Sequence, residues 1–159
     1  MAVNFNVKFI DPEWMFINYG TEDPYTGLLT YVNSLPMVSR YSYLDSIPEI
    51  DSVPGRLLLP DSAVYVTYYA ESTDGDFGEV NYIINYDQNY LVFQDFIPGG
   101  GTTEDVSFFF WGLLAGVAVS PTPHTCFDVV FTSNSNTYQD SACIEITGGG
   151  WRIGSISMS

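Results

Sequence analysis

Positive charge is scarce in this sequence: Lys8, Arg40, Arg56 and Arg152 stand against 19 Asp and Glu, for a net charge of −15 and a pI near 4.1. Binding to a phosphate backbone draws its affinity from Lys and Arg that release condensed counterions, so nucleic acid is not an expected partner. An anionic membrane surface repels the chain for the same reason. A net charge of one sign also keeps copies apart in solution.

Histidine is rarer still. His124 lies in Ser120-Pro121-Thr122-Pro123-His124-Thr125 and reads as a structural or solvated residue, because Ser/His/Asp chemistry needs an activated serine and the Gly-x-Ser-x-Gly elbow is absent. Zinc patterns require clusters of Cys and His at set spacing, and His124 with Cys126 and Cys143 matches none of them. Neither Gly-x-Gly-x-x-Gly nor a P-loop occurs, so the triplets Gly99 to Gly101 and Gly148 to Gly150 read as flexible turns. Asp74-Gly75-Asp76-Phe77-Gly78-Glu79 is rich in carboxylates but lacks the EF-hand spacing, and hairpin chemistry accounts for the same residues. No catalytic residue, cofactor or metal is expected, and the chain reads as non-enzymatic.

Long apolar runs are missing as well. The longest, Val106 to Val119, covers 14 residues, short of the roughly 20 that a membrane-crossing helix needs. The opening Met1 to Lys8 lacks the basic and apolar regions of a signal peptide, so synthesis in the cytoplasm without a leader is expected. Asn-x-Ser/Thr does not occur, and N-glycosylation is not expected.

What is present in quantity is aromatic: 12 Tyr, 11 Phe and 3 Trp, a composition that folds and that favours half-buried pleated surfaces. At 159 residues the chain suits one compact domain. Val3, Phe5, Val7 and Phe9 alternate with Asn4, Asn6 and Lys8 as a strand with one wet face. Glu13 to Tyr19 offers a second strand, and Gly20 to Gly27 a turn. Ala63 to Glu71, Glu79 to Tyr86 and Tyr90 to Ile97 read as a three-stranded meander, closed by Asp74-Gly75 and Asp87-Gln88-Asn89, with Ile84 facing Val92. Val106 to Val119 fits a buried strand better than a helix capped at Thr103, because Gly112 and Gly116 each cost a helix about 1 kcal/mol. Phe127, Val129 and Phe131 begin a second hairpin that returns over Thr137 to Thr147, and Trp151 to Ser157 gives a last strand. The expected fold is all-β, a single-domain β-sandwich of jelly-roll-like character with about eight antiparallel strands.

Ser34 to Ser62 breaks the pattern with Pro36, Pro48, Pro54 and Pro60. Residues before proline are pushed to extended conformations, so an extended arm or long connection is expected. Leu57, Leu58 and Leu59 would anchor it, either across its own sandwich or in a neighbouring subunit.

The cysteines pair by register. A loop centred on Asn134-Ser135 sets Ser133 opposite Asn136 and, counting back along both strands, Cys126 opposite Cys143. At a non-hydrogen-bonded site their Cα atoms lie about 4.5 Å apart, within reach of a disulfide.

An aromatic-rich β-sandwich with a Pro-punctuated arm is similar in general character to virion proteins such as capsid, decoration, fibre or tail components. That resemblance implies a structural protein located in the virion, with homo-oligomer or particle neighbours as partners, joined through Leu57 to Leu59 or through an exposed sheet edge. The alternative is a carbohydrate-binding module, with Tyr65, Tyr68, Tyr69, Tyr82, Tyr86 and Tyr90 offering flat faces to sugar rings.

Overall fold

The computed structural model describes residues 2–96 and 108–148. They are mostly β, with seven strands in two antiparallel sheets and three helices. The strands are β1 (Val3–Ile10), β2 (Ala63–Ser72), β3 (Val80–Tyr86), β4 (Leu91–Phe96), β5 (Phe109–Ala118), β6 (Thr122–Ser133) and β7 (Asn136–Ile146). One sheet has the order β1-β2-β5-β4 and the other β3-β6-β7. The expected strand over 151–157 lies outside the described residues.

The two sheets share one core. Phe110 of the first sheet meets Phe131 of the second edge to face at 4.8 Å, and Phe5 and Phe9 meet Phe131 and Phe127. The other face of the four-stranded sheet is also buried, because Ile10, Tyr65, Tyr69, Trp111 and Leu113 pack against helices. Burial on both faces explains why β2 and β5 read as continuous apolar runs, whereas β3 alternates. The run at Val106 to Val119 accordingly yields β5 over its described part. Its glycines admit neighbours: a Cβ on Gly112 would sit 2.2 Å from the Tyr68 ring, and one on Gly116 2.2 Å from the Val92 carbonyl.

The helices correct the sequence reading. Glu13 to Tyr19 is not a strand: α1 spans Pro12–Tyr19 and α2 Pro24–Ser34. Both start at Asp-Pro, where the Asp11 carboxylate accepts from the Glu13 amide and the Asp23 carboxylate from the Thr26 amide. Proline occupies the first helical position, where its missing N–H costs nothing. Gly20 closes α1 at φ +88°, a value that favours glycine. The segment Ser34 to Ser62 is not an extended arm either, since α3 fills Met37–Ser46 and a short 3₁₀ turn follows at Ile50–Ser52. The proline rule holds locally, because Leu35, Ile47 and Val53 are all extended. Pro36 and Pro48 still leave room between them for a helix of ten residues.

Lys8 fixes α3 to the sheet. It is buried, and its Nζ donates to the Leu44, Asp45 and Ile47 carbonyls at 2.8, 3.1 and 2.8 Å. Leu44 also accepts from the Ile47 amide at 3.2 Å, whereas the Asp45 and Ile47 carbonyls lie where a helix runs out of amide donors, and the cation complements the helix dipole there. Burial lowers the Lys8 pKa, and the nearby Glu49 and Asp45 carboxylates oppose that shift.

The expected meander is also revised. β3 pairs with β6, and β4 pairs with β5, so Asp74-Gly75 and Asp87-Gln88-Asn89 carry the chain between sheets and close no hairpins. Ile84 therefore faces Val129, not Val92. Phe77 supplies the reason at the first crossing, because its side chain is fully buried against Phe110 and Phe131. That anchor pulls the chain through the shared core.

Candidate functional site

The expected arm residues divide. Leu58 is 3 % exposed and belongs to the protein's own core, while its carbonyl accepts from the Thr147 amide at 2.8 Å. Leu57 and Leu59 point outward, Leu57 at 67 % exposure. Arg56 ties the same loop to the start of α1 through Glu13 at 2.8 Å and Asp11 at 3.3 Å. The three leucines are thus one internal anchor and two exposed neighbours, with Leu58 seating the segment on the protein's own sandwich.

The tyrosines proposed for sugar stacking are mostly turned inward. Tyr65, Tyr68 and Tyr69 are buried, and Tyr82, Tyr86 and Tyr90 are half-buried against the shared core. No flat row of them faces solvent.

The sheet edges differ in how they are guarded. Exposed edges invite pairing with another chain, and proteins blunt them with charges, prolines or bulges. β1 carries the inward Lys8, and its Val7 amide donates to the Asp140 carboxylate at 2.9 Å. β7 carries Asp140 and Glu145. β4 is broken by a register shift between Phe93 and Asp95. β3 has none of these: Val80-Asn81-Tyr82-Ile83-Ile84-Asn85-Tyr86 contains no charge, proline or glycine, and pairs with β6 in unbroken register. Among the described residues nothing pairs with its other side. Ile83, on its outer face, is 63 % exposed.

The outer face behind that edge is polar but nearly uncharged. Across the register Asn81 lies beside Thr132, Ile83 beside Val130 and Asn85 beside Asp128. The Asp128 carboxylate accepts from Gln139 at 3.0 Å. A second apolar feature, a groove of about 280 Å³ lined by Met37, Val38, Tyr41 and Phe108, lies beside α3.

On the same outer face, Cys126 opposes Cys143 across β6 and β7, with Cα atoms 4.0 Å apart, and the two are joined by a disulfide. The turn between these strands has Asn134 and Ser135 at φ +50° and +70°, the left-handed pair that a two-residue hairpin requires. Sequence spacing separated His124 from any ligand set, yet its Nε2 lies 3.2 Å from Cys126 Sγ. A bulge between Thr122 and Thr125 accounts for this. Thr122 and Thr125 both turn inward, and Pro123 and His124 are left on the solvent side. Pro123, directly before His124, was the sequence sign of that irregularity.

No protein-family model, curated protein or solved structure matches the chain.

Proposed function

We propose that the protein is a non-enzymatic structural subunit, with a two-layer β-sandwich of jelly-roll-like character at its centre, that assembles with further copies of itself through the open edge of β3. The larger particle we assign it to is a virion, as a capsid, decoration, fibre or tail component. The observation that carries the reading is the β3 edge, which among the described residues is unpaired and has no charge, proline or bulge, whereas the other three sheet edges described each carry a charge or a bulge. A second copy is the fitting occupant because β3 is self-complementary. In an antiparallel pair about a two-fold axis, Ile83 meets Ile83 of the second copy, Asn81 meets Asn85, and Val80 meets Tyr86. Backbone hydrogen bonds then join two three-stranded sheets into one.

The charge of the chain supports the same choice. With −15 on each copy, contacts are favoured where charge is lowest, and β3 has none. Its flanks do carry charge, so Glu79 of one copy approaches Asp87 of the other at both ends. Salt screens that repulsion within a Debye length of about 10 Å at 0.1 M, so association strengthens with ionic strength. The inward tyrosines favour assembly over glycan recognition.

Sedimentation velocity over a range of protein and salt concentrations tests the proposal. The expected result is a dimer or larger oligomer whose population rises with both. A monomer under all conditions, combined with selective binding on a glycan array, would replace assembly with the carbohydrate reading.

A further inference from the structure

We propose that the hairpin β6–β7 holds a metal site that opens when its disulfide is reduced, with Cys126, Cys143 and His124 as ligands for Zn²⁺. The sulfur atoms of Cys126 and Cys143 and a ring nitrogen of His124 all lie within 4.8 Å of one another. A tetrahedral zinc ion with bonds of about 2.3 Å to sulfur and 2.0 Å to nitrogen separates its ligand atoms by about 3.5–3.8 Å. The three side chains reach that spacing by small rotations, because the strands already hold them on one face.

In the oxidised protein both sulfurs are spent on each other, and the site is closed. A dithiol donor supplies two electrons and is itself oxidised to a disulfide. Its two protons pass to Cys126 Sγ and Cys143 Sγ, and the S–S bond breaks. Zinc then displaces both protons, forming two thiolate bonds and accepting the neutral imidazole of His124 through Nε2. Two protons leave for each metal bound, so affinity rises with pH. Three protein ligands leave one tetrahedral position for water or an incoming donor.

The backbone is suited to this role. The bulge at Thr122 to Thr125 aims His124 at the sulfurs, as bulges do beside functional groups. Thr122 Oγ1 braces it, lying 3.3 Å from the His124 amide and 3.2 Å from the His124 carbonyl. All three ligands are on the outer face of the three-stranded sheet and reach solvent without opening the core.

The test uses the full chain, oxidised or reduced with a trialkylphosphine that is then removed, and titrated with Co²⁺ and Zn²⁺. Reduced protein should bind one Co²⁺ with a thiolate charge-transfer band, lose that band when Zn²⁺ displaces it, and release two protons. Oxidised protein should show no band. His124→Ala, at an exposed bulge of β6, should weaken binding by at least about tenfold, the loss that even a supporting partner of a ligand produces. Equal affinity in both redox states would overturn the proposal, as would parental affinity in His124→Ala. Loss of the β circular dichroism signal on reduction would also overturn it, since the strands would no longer present the ligands together.

Discussion

Replacing Ile83 by lysine separates edge pairing from general stickiness. In the antiparallel pair, Ile83 of each copy covers the other. Burying an isoleucine side chain fully is worth about 1.5–3 kcal/mol, and 63 % of this one is still exposed, so each copy contributes about 1–2 kcal/mol. Two lysines opposed at about 5 Å add a repulsion near 1 kcal/mol at water-like dielectric. The sum, about 3–5 kcal/mol, weakens the dimer between roughly a hundredfold and several thousandfold. Lysine is also the residue with which sheet proteins commonly guard an edge. The monomer should lose little, about 1 kcal/mol or less, because the position faces solvent on an edge strand. Sedimentation equilibrium gives the association constant, and thermal unfolding at a concentration below dissociation gives the monomer's stability. An association constant unchanged in Ile83→Lys would refute the reasoning, since no arrangement centred on this strand tolerates two charges at its midpoint.

Two further expectations concern the body of the fold. Lys8→Met should destabilise the protein by about 2–4 kcal/mol in urea denaturation, because the Asp45 and Ile47 carbonyls lose the ammonium at about 1–3 kcal/mol each, which outweighs relief from desolvating that ammonium, while Leu44 keeps the Ile47 amide. A loss below about 0.5 kcal/mol would mean that the α3 carbonyls find other partners. At alkaline pH, burial is the first cause raising the pKa of Tyr19, Tyr41, Tyr43, Tyr65 and Tyr69. The folded state then keeps protons that the unfolded chain releases near pH 10, so their stabilisation is complete below about pH 10 and declines above it. Lys8 acts in the opposite sense but is one group against five. Phenolate absorbance should therefore lag the unfolded titration until the β signal is lost; titration of all 12 tyrosines near pH 10 in folded protein would contradict this.

Much of the sheet was legible in the sequence, for physical reasons that particular residues show. Alternation marked β1 and β6 because each has one polar face, and the turn at Asn134-Ser135 set Cys126 against Cys143. The helices were missed because Asp11-Pro12 and Asp23-Pro24 serve turns and helix starts alike, and α1 and α3 are too short to display a clear period. In α2 the buried Tyr25, Leu28 and Val32 have helical spacing, which was the available signal. The meander failed because a short polar loop looks the same whether it closes a hairpin or carries the chain across a core. Only long-range packing, such as Phe77 against Phe110 and Phe131, decides between them. The open edge of β3 could not be read from sequence at all, since edge status depends on strand order.

The most direct measurement is disulfide trapping at the centre of β3. The described residues hold no free cysteine, so Ile83→Cys adds a single reactive thiol that meets its own copy across the two-fold axis at about 4.5–5.5 Å between Cα atoms. Asn81→Cys is the control, because it faces Asn85 of the second copy and lies about 14 Å from its own equivalent. Mild oxidation should yield a covalent dimer on non-reducing gels for Ile83→Cys and little or none for Asn81→Cys. Equal yields from the two, or none from Ile83→Cys, would contradict antiparallel pairing about Ile83.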